Sequence, residues 1–475
     1  MPQPRGGPTR ARRPWGLAAR SVAAAAALLL AGAPATAQTL TEALAYAYRN
    51  NPQLLAQRAA LRATDEEVPQ ALSGWRPIVN LTGQVGTNHS AVAPTDPDST
   101  ARNTSGSFIS RSVQLQARQP IYQGGRTEAA TRQAINTVQA ARAQTLSVET
   151  TVFTAVVTAF LDVVRDQNLL EVARNNEQVL RRQLQATRDR FRVGEVTRTD
   201  VAQSEAALAQ AIAQRIQAAG NLETSRSRYT RAVGHPPGRL IMPSERPALP
   251  ATREEALALA AANNFDVISA VFTEAAARDN VDFIRSQLLP QVSITGTIGR
   301  SISPTLTTSG FRTDTMSVVA QMTVPLYEAG NIYSQTRQAQ QTVGQRRSQV
   351  DVARRIAVQN ATQSWETLQA ARAAIASFNI AVRAAQIALE GTQQEALVGA
   401  RTVLDVLIAE QQYFTTQSNL VTAQHDAALA EYTLAAAIGR LIAPALKLPV
   451  DLYDMEHHYK LIKDKWFGFG GGLKE

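Results

Sequence analysis

The chain repeats itself, and that constrains its fold more than any local motif. Thr39, Glu42 and Leu44 recur as Thr252, Glu255 and Leu257, and Asn50-Asn51 recurs as Asn263-Asn264. Pro77, Val79, Leu81, Gly83 and Gly86 recur as Pro290, Val292, Ile294, Gly296 and Gly299, all at an offset of 213. Further on, Pro120, Tyr122, Gly125, Val193-Gly194, Asp200 and Gly234 recur as Pro325, Tyr327, Gly330, Val398-Gly399, Asp405 and Gly439 at an offset of 205. The change of offset places a longer loop in the first copy, between residues 86 and 113. Units of ~200 residues are far longer than solenoid repeats, so this is a duplicated architecture. The organisation read from it is an export segment 1–37, a first repeat 38–247, a second repeat 248–445 and an extension 446–475.

Proline placement divides each copy. Residues 121–235 and 326–443 contain none, and an interior proline costs a helix ~3 kcal/mol, so these gaps predict continuous helix. Val193-Gly194 and Val398-Gly399 each interrupt a gap with a turn, followed by Thr and Asp suited to cap a helix. Each gap therefore reads as a hairpin with unequal arms, 128–193 with 199–233 and 333–398 with 404–438. The segments 40–73 and 252–287 have the length to stack end to end on the short arms, and each opens with a capping-box pattern, Thr39/Glu42 and Thr252/Glu255. Along the first long arm Val152, Val156, Ala159 and Val163 form one apolar stripe. Phe153, Val157, Phe160 and Val164 form a second beside it, which suits a helix wedged between two neighbours in a tube wall.

Between the helical parts lie short alternating segments near 77–87, 107–120, 290–300 and 312–325. Val79, Leu81 and Val85 alternate with Asn80, Thr82 and Gln84; Val113, Leu115 and Ala117 alternate with Gln114 and Gln116. The second copy follows the same scheme, with Val292, Ile294 and Ile298 against Ser293, Thr295 and Thr297. One apolar and one amide- or hydroxyl-rich face is the pattern of a barrel strand with lipid outside and water inside. Pro77, Pro120, Pro290 and Pro325 mark the strand–helix junctions, with Trp75, Tyr122 and Tyr327 as interface aromatics. Four strands cannot close a barrel, and open edges are not viable in lipid, so at least two subunits are required.

Composition narrows the function. Aromatic residues make up only 5% of the chain and cysteine is absent, which removes disulfides, thiol nucleophiles and thiolate metal sites. The histidines show no metal-ligand spacing, and no catalytic constellation emerges, so no enzyme, metal or cofactor is expected. The formal charge of +9 owes much to Arg5, Arg10, Arg12, Arg13 and Arg20; the remaining 43 basic and 39 acidic residues are interspersed, and no nucleic-acid partner is expected. Those arginines, the apolar run Val22–Ala33 and Ala35-Thr36-Ala37 form a secretory signal peptide with cleavage after Ala37. No other apolar stretch long enough to span a membrane as a helix is expected, and the tail 446–475 reads as a peripheral or partly disordered extension.

With these residues in view, the chain over 39–445 resembles the TolC family of outer-membrane channel proteins. The resemblance rests on the duplicated order of helix, strand pair, long helix, Gly-centred turn and helix. It rests also on Pro120-Ile121-Tyr122-Gln123-Gly124-Gly125, its counterpart Pro325–Gly330, and the two turn segments. It implies a mixed, mainly helical fold: a homotrimer with four strands per chain in a twelve-stranded outer-membrane barrel, continued by a periplasmic helical barrel. It implies an exit channel for a tripartite efflux pump or a type I secretion system, with a periplasmic adaptor protein and an inner-membrane transporter as partners. By the same resemblance the hairpin turns Val193, Gly194, Val398 and Gly399 touch the adaptor. Asp405 lines the periplasmic entrance, and Arg401 ties it to Thr199 and Asp200 on the other hairpin. Ile408 and Ala396 depart from the family's second entrance acid and linking tyrosine. The alternative from another class is a soluble periplasmic coiled-coil adaptor or scaffold, which would share the signal and hairpins but not the strands.

Overall fold

Both proline-free stretches fold as hairpins with unequal arms. The structure, a computed structural model, describes residues 38–469 except 97, 99, 101, 244 and 307, so the expected signal segment 1–37 lies outside the described residues. The helices are α1 (Leu40–Asn50), α2 (Pro52–Asp65), α3 (Glu67–Leu72), α4 (Arg126–Arg192), α5 (Arg198–Val233), α6 (Arg253–Asn263), α7 (Phe265–Arg285), α8 (Asn331–Leu397), α9 (Val403–Ala437) and α10 (His457–Ile462). The strands are β1 (Ile78–Val92), β2 (Thr104–Tyr122), β3 (Gln291–Thr305) and β4 (Thr308–Thr323). The long arms α4 and α8 hold 67 residues each, about 100 Å of helix.

The end-to-end stacking is made by one asparagine in each repeat. Asn51 caps α2 by accepting from the Gln53 amide at 2.9 Å, and its Nδ2 donates to the Ala232 carbonyl at the end of α5 at 3.1 Å. Asn264 accepts from the Asp266 amide at 3.0 Å and donates to the Ala437 carbonyl at the end of α9 at 3.3 Å. Each side chain thus satisfies an orphan amide of one helix and an orphan carbonyl of another. The opening caps differ. Thr39 and Glu42 form the full capping box. In the second copy Thr252 caps the Glu255 amide, but the Glu255 carboxylate reaches one residue further back, to the Ala251 amide at 3.2 Å.

Both predicted stripes of α4 are buried. Phe153, Val157 and Phe160 pack with Leu44 and Tyr48 of α1 and Tyr229 of α5, and the cluster takes in Leu441 and Leu448 from beyond α9. Helix α7 wedges between α4 and α8, so the second repeat leans on the first. Arg132 of α4 pairs with Asp279 and Asp282 at 3.0 Å each, and Ser147 donates to Asp266 at 2.6 Å. Two stretches within α4 and 253–288 are apolar enough by composition to span a membrane, contrary to the sequence expectation. The stretch in α4 is mostly core; that in 253–288 is an alanine-rich wall segment, and only 17% of it is buried within one chain.

The extension after 445 is not peripheral. Leu448 is buried, Val450 and Tyr453 pack on the central cluster, and Ile462 of α10 is buried. His458 lies 3.3 Å from the buried Asp65 carboxylate, and Arg142 stacks over Tyr459. The apolar residues Leu448, Tyr453, Tyr459 and Ile462 recur often enough to bury a strap, which its lysines and glycines obscure in the sequence.

The four strands form one antiparallel sheet in the order β1-β2-β3-β4, so β2 and β3 join the two repeats. The register aligns Leu81, Leu115, Ile298 and Met316 in one row, and Asn80, Gln116, Thr297 and Ser317 in the next. Along β2 and β3 the polar row is the more shielded: Ser112, Gln116, Thr295 and Thr297 are partly covered while Val113, Leu115, Ile294 and Ile298 are exposed. The sheet is therefore concave on its polar face and convex on its apolar one. The strands extend past the expected outer ends, because Asn88, His89 and Ser90 pair without an apolar alternation. Pro120 lies inside β2, at a bulge before Tyr122, rather than at the strand end.

Candidate functional site

The two hairpin tips share one construction. After α4, the Gly194 amide donates to the Phe191 carbonyl and the Glu195 amide to the Arg190 carbonyl, both at 3.0 Å. After α8, the Gly399 amide donates to the Ala396 carbonyl at 3.4 Å and the Ala400 amide to the Glu395 carbonyl at 2.9 Å. This paired closure needs a left-handed residue, and Gly194 and Gly399 supply it at φ 82° and 79°. Val193 and Val398 stand beside them, 72% and 81% exposed. Each tip so presents an apolar side chain to solvent.

The next helices start with matched capping boxes. The Thr197 hydroxyl accepts from the Asp200 amide at 3.2 Å, and the Asp200 carboxylate accepts from the Thr197 amide at 2.8 Å. Thr402 and Asp405 repeat this at 3.2 and 2.9 Å. The caps are therefore Thr197 and Thr402. Thr199, expected as a latch partner, is an exposed residue of the first turn. The backbone and hydroxyl bonds from Thr402, with the nearby Arg401 charge, hold the Asp405 carboxyl below the usual carboxylate range. It is ionised at neutral pH and sits at a helix N-terminus, where negative charge is favoured.

Arg401 does not reach Thr199 or Asp200 within the chain. Its Nε lies 2.8 Å from Glu395 Oε2, so it closes its own hairpin, and that bond raises its pKa further. The two hairpins meet instead through an apolar seam, with Val403 and Leu407 packed on Leu180 and Ala211. Behind it lies Glu410, a buried acid that accepts from Gln393 at 3.0 Å and feels the Arg182 charge of the other hairpin. Burial pushes its carboxyl up. Its signal in the sequence is an acid on the helical stripe Val403, Val406, Leu407. Ile408 points to solvent, 58% exposed.

The junction residues lie where the sheet meets the helices. Pro77 and Pro290 immediately precede β1 and β3, and Pro325 follows β4. Trp75, Tyr122 and Tyr327 are exposed there, and Gln119 Nε2 donates to the Trp75 carbonyl at 3.0 Å. No group of three metal-ligating side chains is found among the described residues.

These features can be set against known proteins. The family model of outer membrane efflux proteins matches residues 43–235 and 256–440, one match per repeat. The outer membrane efflux protein BepC of Brucella suis is 34% identical over 95% of this chain and 97% of its own length. The outer membrane protein TolC of Vibrio cholerae is 30% identical over 85% of this chain and 91% of its own. Among solved structures, the outer membrane protein VceC of Vibrio cholerae superposes with a TM-score of 0.71 at 21% identity, over 84% of this chain and 96% of that one. The chain, a duplicated pair of helical hairpins on a four-stranded sheet, belongs to the outer membrane efflux protein family.

Proposed function

We propose that three copies assemble into an outer-membrane exit channel, with β1 of each protomer paired to β4 of the next in a twelve-stranded barrel. The observation that carries this reading is the sheet: an apolar convex face, a polar concave face and two unpaired edge strands, continued by helices of about 100 Å. Residues 38–247 and 248–445 supply the two halves of the wall, and 446–469 of the extension straps back over the first. The barrel lies in outer-membrane lipid and the helices reach across the periplasm. A periplasmic adaptor protein docks on the tips at Val193, Gly194, Val398 and Gly399, and an inner-membrane transporter delivers the cargo. The likeness to an efflux protein over nearly the whole chain favours efflux over type I secretion. Comparing drug susceptibility with the secreted proteome after gene deletion separates the two: loss of resistance with an unchanged secretome supports efflux, and the reverse overturns it.

At the closed end, three Asp405 carboxylates concentrate negative potential in a confined space. With Ile408 beside them, this channel has one acidic ring. In planar bilayers Asp405→Ala is expected to weaken cation selectivity and block by trivalent cations, and Ile408→Asp to strengthen the block. Arg401 acts here by fixing its own turn through Glu395, and across protomers by facing Thr199 or Asp200 of a neighbour. Arg401→Ala then raises conductance more than Glu395→Ala does. Equal effects would reduce Arg401 to a turn brace.

A further inference from the structure

The convex face carries charge at one level only. Arg300 of β3 and Asp314 of β4 are paired in register, and Arg111 of β2 and Arg312 of β4 flank Ile302 one row further out. Asp314 takes both neighbours, Arg300 at 2.7 Å and Arg312 at 2.6 Å. Among the described residues Arg111 makes no ion pair. The group has three guanidinium ions against one carboxylate on three adjacent strands, and all four side chains are exposed.

Two facts place this cluster at the outer lipid boundary. The rows nearer the helices, from Val292 and Met322 through Leu81, Leu115, Ile298 and Met316, carry no charge on the convex side. Arg300 stands nine residues above the foot of β3, roughly 30 Å along the strand and about 23 Å along the membrane normal at a ~40° tilt. The outward apolar band of such barrels is ~25 Å tall, and an arginine on the lipid face is tolerated only near its rim. The concave side of the same rows holds Gln84, Ser112, Ser301 and Thr313, all uncharged. The positive charge thus faces lipid and not the pore, so it does not serve passage of solutes. Arg111 also lines a shallow depression with Ile109, Ile302 and Pro304, to which Thr87 and Ser107 add hydroxyl groups.

We propose that Arg111, Arg300 and Arg312 bind the phosphate groups of a phosphorylated glycolipid in the outer leaflet, with Asp314 holding two of the guanidinium groups in place between strands. Guanidinium forks match phosphate geometry and are favoured where the surroundings are partly desolvated. A clustered anionic lipid at the rim would also bind the subunit to its membrane at no cost to the pore. This inference rests on the outer-membrane reading above.

The test uses the purified full-length channel, delipidated in detergent, and native mass spectrometry after mixing with diphosphoryl lipid A or its dephosphorylated form. The wild-type trimer is expected to retain the phosphorylated lipid several-fold more than the dephosphorylated one. Arg111→Gln, which leaves the Asp314 pairs intact, should reduce that preference severalfold. Equal retention of the two lipids by the wild type, or an unchanged preference in Arg111→Gln, overturns the proposal while a trimer in the spectrum keeps the channel reading intact. Equal displacement by millimolar inorganic phosphate alone would overturn it too, by reducing the cluster to a general anion site. A protein that stays monomeric and needs no detergent overturns both.

Discussion

The long helices α4 and α8 are copies of equal length, yet they are finished differently. Helix α4 buries an almost continuous block from Val152 to Val164 against its own chain. Helix α8 buries scattered residues, among them Val350, Ala357 and Leu368, and leaves Val352, Ile356, Ile380 and Ile387 open, the last two at 71% and 70%. Their spacings of 4, 24 and 7 put Val352, Ile380 and Ile387 at one heptad position, with Ile356 four residues beyond the first. Gln359, Glu366 and Ala373 fill the positions between, so the apolar contacts fall at the two ends of the row. The first repeat holds most of the buried core, and the second leaves more of its long helix open.

The strongest way to break this contrast is to damage each helix separately. Phe160→Ala empties a fully buried site and is expected to cost about 3–5 kcal/mol of protomer stability. Ile380→Asp and Ile387→Asp should leave the protomer folded, by circular dichroism, but abolish the trimer in size-exclusion chromatography with light scattering. Monomer unfolding by Ile380→Asp would show that α8 is finished within its own chain.

The two faces of the sheet give the next effect. Leu115→Arg or Ile294→Arg puts a charge on the convex side, at ~2–4 kcal/mol near the bilayer midplane. Gln114→Arg or Thr295→Arg points into the concave side and should assemble normally. Equal assembly yields in the outer-membrane fraction would contradict the assignment of the faces.

A smaller effect lies where the repeats touch. His425 of α9 is buried, 3.1 Å from Asp162 of α4 and 2.9 Å from Asp426. Burial pushes its pKa down, but bonds to Asp162 and Asp426 outweigh that and the opposing charge of Arg165, leaving it raised above 6.5. Its contribution is fully present below the unfolded pKa and is lost as pH rises through the folded one. Thermal scans should show a stability difference between wild type and His425→Gln that is larger at pH 5 than at pH 8. A pH-independent difference would make the contact one of packing alone. The smallest expected effect is symmetric: Gly194→Ala and Gly399→Ala each force a side chain into a left-handed turn, at about 1–2 kcal/mol. Unequal penalties would mean that one tip is braced by more than its backbone.

Much of this was legible in the sequence because the duplication tested every reading twice. Missing prolines located the hairpins to within a few residues, and alternation located the strands. The outer strand ends were hidden because Asn88, His89 and Ser90 lack the apolar alternation that marks a strand, although Asn88 and His89 bond to Ser110 and Ser107 across the pair. The capping threonines, Thr197 and Thr402, were harder to single out because an aspartate closes each capping box where glutamate is usual. The Arg401–Glu395 pair and the buried Glu410 depend on which residues the turn brings together, and spacing along the chain does not report that. The strap, described over 446–469, is not legible in the sequence because its apolar residues follow no single period.

The central claim is that three chains close one barrel through their edge strands. The chain has no native cysteine, so double variants carrying Leu81→Cys in β1 together with Met316→Cys, Val318→Cys or Ala320→Cys in β4 report that contact alone. Oxidation in membranes is expected to give, for one of these registers, a denaturing-gel ladder of monomer, dimer and trimer that stops at three. A ladder that runs on past three, or no interchain bond at any register, would contradict the account.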